Sequence, residues 1–360
     1  MRKFFEYLRW APLNVLVYRL LTVHEVAGLF RPTIKVVPRI SALDFLIKGA
    51  FLHLKKRTGV DNMQQGSRII TLDNGFHLFS RTTGTGKINL LCIHGGPGDT
   101  HEEFENFSNE LGNQNFRVSM YDQLGSFYSD QPDFSQSDNR KYLTLDYYLS
   151  ELEEMRQRLG LDNFYLLGHS WGGILAQEYA LRYGQHLKGL IIMSMIDNIS
   201  EYTVHINQLR EQTLKPLEVT YMEKIEKGGH FDDPKYRDLV GILNRHFIIR
   251  HPERDYRHLI STTATPVYNY FQENNEFVMV GKLKDWDRRK DIHNITMPTL
   301  LTFGDHDTMP LDAANRMNDE IPNSRLTLTP DGGHCHSIDN PRAFFKTLRQ
   351  FLNDVENNQF

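Results

Sequence analysis

Of cysteine the 360-residue sequence has only Cys92 and Cys335, which excludes a disulfide framework and suits a reducing, cytoplasmic setting. Long apolar runs are missing too. Residues 1–62 are rich in aromatic and aliphatic side chains, but Glu6, Arg9, Asn14, Arg19, His24 and Glu25 interrupt every candidate span. Neither a signal-peptide core nor a membrane-crossing helix of about 20 residues fits there. An excess of one charge is lacking: 41 basic residues stand against 45 acidic ones, a net charge of -4, so nucleic acid is not an expected partner. There is no internal repeat and no low-complexity stretch, and nothing calls for a metal or an organic cofactor.

What is present is a globular composition, 40% hydrophobic and 24% charged, in a chain long enough for one large α/β core with an inserted subdomain. The expected organisation is an N-terminal amphipathic helical extension over 1–62, a first core segment over 63–196, a helical cap over 197–290 and a second core segment over 291–360. Pro12 and Pro32 break the extension into short helices. It either packs on the main domain or makes a peripheral membrane contact through a basic and aromatic face.

The chain is organised around Gly168-His169-Ser170-Trp171-Gly172-Gly173. Asn163 to Leu167 reads as a short buried strand, and Ile174, Leu175, Tyr179 and Leu181 follow at helical spacing. A serine on so tight a strand-to-helix turn needs small residues two places before and two after, which Gly168 and Gly172 supply. The turn aims Ser170 at a helix N-terminus, where unpaired N–H groups favour a developing negative charge.

Strands are expected at 67–72 and 76–80, joined by the Asp73-Asn74-Gly75 turn, and at 87–93, 116–121, 187–195, 299–303 and 325–328. Helices are expected at 102–111, at 143–159 with Thr144 as N-cap, and at 343–352. Strands alternating with helices imply a doubly wound, mostly parallel sheet. The third strand runs into His94-Gly95-Gly96-Pro97-Gly98, a bend that brings backbone N–H groups to the sheet edge; no lysine follows in the position a phosphate-binding loop requires. The bend suits one oxyanion donor, Gly96, with Trp171 as the other, and His94 reads as structural. Partners for Ser170 belong on the loops after the last two strands. Those loops offer Asp305 and Asp307, then His334 and His336. Asp307 stands further beyond the strand end, and His334 follows two glycines that free its loop. The favoured triad is therefore Ser170, Asp307 and His334, with His334 as general base and acid.

His94-Gly95-Gly96-Pro97-Gly98, Tyr121-Asp122-Gln123-Leu124-Gly125, the Ser170 elbow and Gly333-His334 together resemble the proline iminopeptidase family of α/β-hydrolase-fold serine peptidases, over about residues 66 to 356. In the cap, Asn275-Glu276-Phe277 and Gly281-Lys282-Leu283-Lys284-Asp285-Trp286-Asp287 extend the likeness. The resemblance implies release of an N-terminal residue, often proline, from a peptide or small amide with a free N-terminus. It also implies that cap glutamates hold the substrate ammonium; Glu276 matches well and Glu253 less well, because the spacing around it departs. Phe127 and Tyr128 stand where the family carries small residues, and are expected to narrow the pocket. Chemistry alone leaves a small-molecule esterase, amidase or lactonase open, as well as a non-enzymatic binding protein.

Overall fold

The computed structural model describes residues 65–251 and 257–360. The extension over 1–62 and Glu253 lie outside the described residues. Eight strands form one sheet: β1 (Gly66–Thr71), β2 (His77–Thr83), β3 (Ile88–Ile93), β4 (Phe116–Tyr121), β5 (Phe164–His169), β6 (Leu187–Met193), β7 (Thr299–Gly304) and β8 (Ser324–Thr329). They lie in the order β1-β2-β4-β3-β5-β6-β7-β8. The pairs β1/β2 and β2/β4 are antiparallel, and the others are parallel.

Helices cover both faces, which is why β3, β5, β6 and β7 read as near-continuous apolar runs. In chain order they are α1 (Phe107–Leu111), α2 (Ser137–Arg140), α3 (Leu145–Leu159), α4 (Trp171–Tyr183), α5 (Ile199–Thr213), α6 (Pro216–Gly228), α7 (Pro234–Phe247), α8 (Arg257–Ser261), α9 (Thr265–Phe271), α10 (Leu311–Glu320), α11 (His336–Asp339) and α12 (Pro341–Glu356). Alternate strand residues feed two cores. Leu90 and Cys92 of β3 pack with Phe344, Leu348 and Phe351 of α12, whereas Leu91 and Ile93 join Leu152 of α3 and Ile174 of α4. The amide of Tyr147 donates to Thr144 Oγ1 at the start of α3, and Gly160 ends that helix with a left-handed φ of 67°.

The helix expected over 102–111 is instead a 3₁₀ turn, His101–Phe104, followed by the short α1. Tertiary contacts override local propensity here. Asp122 Oδ1 accepts from the His101 amide at 2.6 Å and pins the entry, while Phe104 and Phe107 both turn into the core. Between β6 and β7 the chain leaves the sheet to build α5 through α9. Exit is stapled to entry: the Ile199 amide donates to the Trp286 carbonyl at 3.0 Å and the Arg288 amide to the Asp197 carbonyl at 2.7 Å. Trp286 Nε1 and the Arg288 guanidinium both reach Glu178 on α4, so this helix anchors the returning segment.

The α4 helix sits so close to β3 that Gly172 has no room for a side chain: a Cβ there would lie 2.2 Å from the Ile93 carbonyl oxygen. Gly172→Ala is expected to destabilise the chain by more than about 3 kcal/mol in urea melts, since backbone must shift. Gly241 in α7 is the control, its nearest atom being the Arg245 guanidinium at 3.5 Å. Gly241→Ala should leave stability unchanged or raise it by about 0.5 kcal/mol. Equal melts for the two variants would refute this packing account.

Candidate active site

Ser170 is the N-cap of α4, with φ 52° and ψ -119°. A non-glycine residue held there stores about 1–3 kcal/mol of backbone strain. The strain persists because the Ser170 amide donates to the Met193 carbonyl at 3.0 Å and its carbonyl accepts from Gly173 at 2.7 Å. A Cβ on Gly168 would stand 2.0 Å from the Gly172 carbonyl oxygen, which closes the turn to anything but glycine. Trp171 opens the helix, so its N–H has no intrahelical partner.

Pairing of Ile93 with Gly168 sets the 94–98 bend beside this elbow. A Cβ on Gly95 would lie 3.3 Å from Ser170 Cβ, and Gly96 takes φ 100°. The Gly96-Pro97 peptide is cis. His94 is buried and structural: Nδ1 donates to the Gly95 carbonyl at 2.9 Å and Nε2 accepts from the Gln123 amide at 3.1 Å. Gln123 Oε1 accepts from Trp171 Nε1 at 2.8 Å, tying the 122–126 loop to both backbone segments expected to hold an oxyanion.

Asp307 and His334 meet, with Oδ1 2.9 Å from Nδ1 and both side chains buried. Burial works to raise the Asp307 pKa, but the adjacent His334 ring and its hydrogen bond bring it below the ordinary carboxylate value. Asp305 turns away, accepting from the His306 ring at 2.7 Å and the Gly332 amide at 3.2 Å. His336 shares a 2.7 Å hydrogen bond with Thr329, and burial drops its pKa to about 3, so it is neutral. The His334 amide donates to the Phe247 carbonyl at 2.6 Å, at the end of α7, and Cys335 donates to Ile248 at 2.9 Å. The glycines before His334 serve close approach and not loop freedom: a Cβ on Gly333 would lie 2.7 Å from the Phe247 carbonyl oxygen, and one on Gly332 would lie 2.6 Å from His336 Cβ.

His334 Nε2 has no hydrogen-bond partner and stands 4.0 Å from Glu276 Oε1. The Glu276 carboxylate accepts from Tyr202 at 2.8 Å and Tyr268 at 3.0 Å. Burial, and then the Glu276 charge, push both phenols well above their ordinary pKa, so they remain donors. No lysine or arginine pairs with Glu276 among the described residues. Sequence patterns did not single out these tyrosines, which lie on α5 and α9, far apart in the chain. Nor did they single out Glu103, which contacts His169 at 2.6 Å. Phe127 and Tyr128, expected to narrow the pocket, are 48% and 37% exposed, with Tyr128 bonded to Glu102 and Phe127 packed edge-on against His258. Burial pushes the Cys335 thiol up, which makes it a poor nucleophile. No group of three or more side chains suited to a metal ion occurs among the described residues.

Residues 88–232 match the family model described as the alpha/beta hydrolase fold. A proline iminopeptidase of Flavobacterium johnsoniae is 34% identical over 286 residues, 78% of this chain and 95% of that protein. One from Elizabethkingia meningoseptica is 34% identical over 305 residues, 81% of this chain and 99% of that protein. The chain belongs to the proline iminopeptidase family. Its fold is that of the α/β hydrolases, shared with the crystal structure of the proline iminopeptidase of Mycobacterium smegmatis at a TM-score of 0.73 and 24% identity, over 82% of this chain and all (100%) of that one. The fold by itself does not define the chemistry, since an enol-lactonase from Burkholderia xenovorans matches at a TM-score of 0.53 and 17% identity over 79% of this chain and 100% of that one.

Asp307→Asn should preserve the shape of the site but favour the wrong imidazole tautomer, lowering kcat by about 10³–10⁴-fold. Asp305→Asn should change kcat by less than about threefold. Steady-state kinetics with the reverse ranking would transfer the acidic role to Asp305.

Proposed function

We propose that the chain is a serine aminopeptidase that releases an N-terminal residue, proline foremost, from peptides or small amides. The observation that carries this reading is Glu276: a carboxylate held by two tyrosines, without a lysine or arginine partner, 4.0 Å from the free ring nitrogen of His334. A partly buried carboxylate, 16% exposed and without a lysine or arginine counter-ion, carries a desolvation cost, and a substrate ammonium would supply the missing charge. Its nearness to His334 suits a substrate whose amine is one carbon from the carbonyl under attack.

In this mechanism Ser170 Oγ adds to the scissile carbonyl while His334 Nε2 takes its proton. The oxyanion is held by the N–H groups of Gly96 and Trp171. The C–N bond breaks as His334 returns the proton to the leaving amine, and an acyl-enzyme remains on Ser170. Water, deprotonated by His334, then hydrolyses the ester and frees the amino acid. Asp307 keeps the ring in the tautomer with Nε2 unprotonated and stabilises the imidazolium.

A charge-assisted contact from Glu276 is worth about 1.5–3 kcal/mol, or about ten- to a hundredfold. Glu276→Gln is expected to lower kcat/KM on a proline arylamide at least about tenfold and to leave hydrolysis of a neutral acyl ester nearly unchanged. N-acetylation of the proline substrate should mimic the mutation, and the two losses should not add. Ser170→Ala should abolish turnover of both substrates. Equal effects of Glu276→Gln on substrates with and without an amine would favour an esterase or amidase.

A further inference from the structure

His169 stands where three parts of the site meet. Its backbone precedes Ser170, its Nε2 donates to the His334 carbonyl at 3.0 Å, and a Cβ on Gly95 of the oxyanion bend would lie 3.4 Å from its Nδ1. On its other side Nδ1 lies 2.6 Å from Glu103 Oε1, with both side chains only 5% exposed. A carbonyl can only accept, so the proton on Nε2 is committed to His334. A bare Nδ1 would then face the carboxylate lone pair to lone pair at 2.6 Å. At that distance the ring carries a second proton, on Nδ1, and the contact is a buried ion pair lying off the hydrogen-bond line, since neither atom has a hydrogen-bond partner.

We infer that Glu103 and His169 form a buried ion pair that holds the His334 peptide against the Ser170 elbow, acting as positioning residues that do not touch the substrate. The inference rests on Ser170 and His334 working together, as in the proposed reaction. Burial opposes a charged His169, but the charge and contact of Glu103 and the His334 carbonyl outweigh it, raising the pKa to about 9. The second proton of the His169 ring thus stays through the neutral range and is lost as pH rises through that value. Around the pair stand Cys92 on β3, His94 and Asp99 at the 94–98 bend, Asp307 after β7, and His334, whose ring centroid is 5.0 Å from that of His169, with Cys335 and His336 after β8. None supplies a fixed positive charge. Loss of the proton leaves Glu103 as an uncompensated buried anion near Asp99 and Asp307, which strains the junction.

The test is the rate of inactivation by a fluorophosphonate, which reports Ser170 and His334 and carries no amine to titrate. In the wild type the rate should be flat from about pH 7.5 to 8.5 and then fall, approaching about tenfold per pH unit above about pH 9. In Glu103→Gln a neutral amide can donate to Nδ1 of a neutral ring, so both contacts survive without a titrating proton. That variant should react within about threefold of the wild type at pH 7.5 and show no alkaline fall up to about pH 10. Glu103→Ala should react at least about tenfold more slowly at pH 7.5. The same alkaline fall in Glu103→Gln as in the wild type, or a wild-type rate in Glu103→Ala, would overturn the inference; if the alanine variant does not fold, the pH profile of the glutamine variant decides alone. A wild type that fluorophosphonate never labels would instead overturn the hydrolase reading on which the pair depends.

Discussion

The approach of α4 to the end of β3 is the constraint on which the site depends. With Gly172 against the Ile93 carbonyl and Gly168 against the Gly172 carbonyl, the turn between β5 and α4 can close to its full sharpness. Ser170 is thereby forced into a positive φ, and the start of α4 is set beside the 94–98 bend. Backbone packing decides both positions, so the geometry is present before any substrate arrives. Such preorganisation spares the reaction the cost of arranging dipoles as charge develops.

A second layer joins this elbow to the rest of the chain through backbone carbonyls. The His334 carbonyl accepts from His169 Nε2 and from Ser194 Oγ at 2.8 Å, while the His334 amide is held by Phe247 at the end of a cap helix. Asp339 adds to the clamp, accepting from Gly333, Arg250 and His251, each at 2.8 Å. The histidine loop is therefore fixed by the cap as much as by the sheet. The end of α7 and the histidine loop are thus held to one another by backbone hydrogen bonds, from His334 to Phe247 and from Cys335 to Ile248.

Electrostatically the pocket is arranged around carboxylates with different tasks. Asp307 is ionised and spent on His334; Glu103 is spent on His169; Glu276 is held by two phenols. The first two are compensated within the chain. Only the third lacks a lysine, arginine or closely paired histidine partner among the described residues, and it stands 4.0 Å from His334 Nε2, where the proposed reaction would bring a substrate amine.

Much of this was legible in the sequence, because strand periodicity and glycine spacing are local. All eight expected strand segments are strands, and the Ser170 turn, the loop acids and the loop histidines could be read from position relative to strand ends. What was misread depended on distant neighbours. The 102–111 helix broke because Asp122 holds its first turn, and the glycines before His334 are needed because Phe247 and His336 crowd them, not to loosen a loop. The amino-acid sequence by itself determined the order of elements, the nucleophile turn and the small set of acids and histidines from which a triad could be drawn, since each follows from side-chain pattern within a few residues. The tertiary structure decided that Asp307 and not Asp305 meets His334, that Tyr202 and Tyr268 hold Glu276, and that Glu103 lies against His169, because these contacts join separate elements, up to 74 positions apart for Tyr202 and Glu276, and exist only once the sheet and the helices between β6 and β7 have packed.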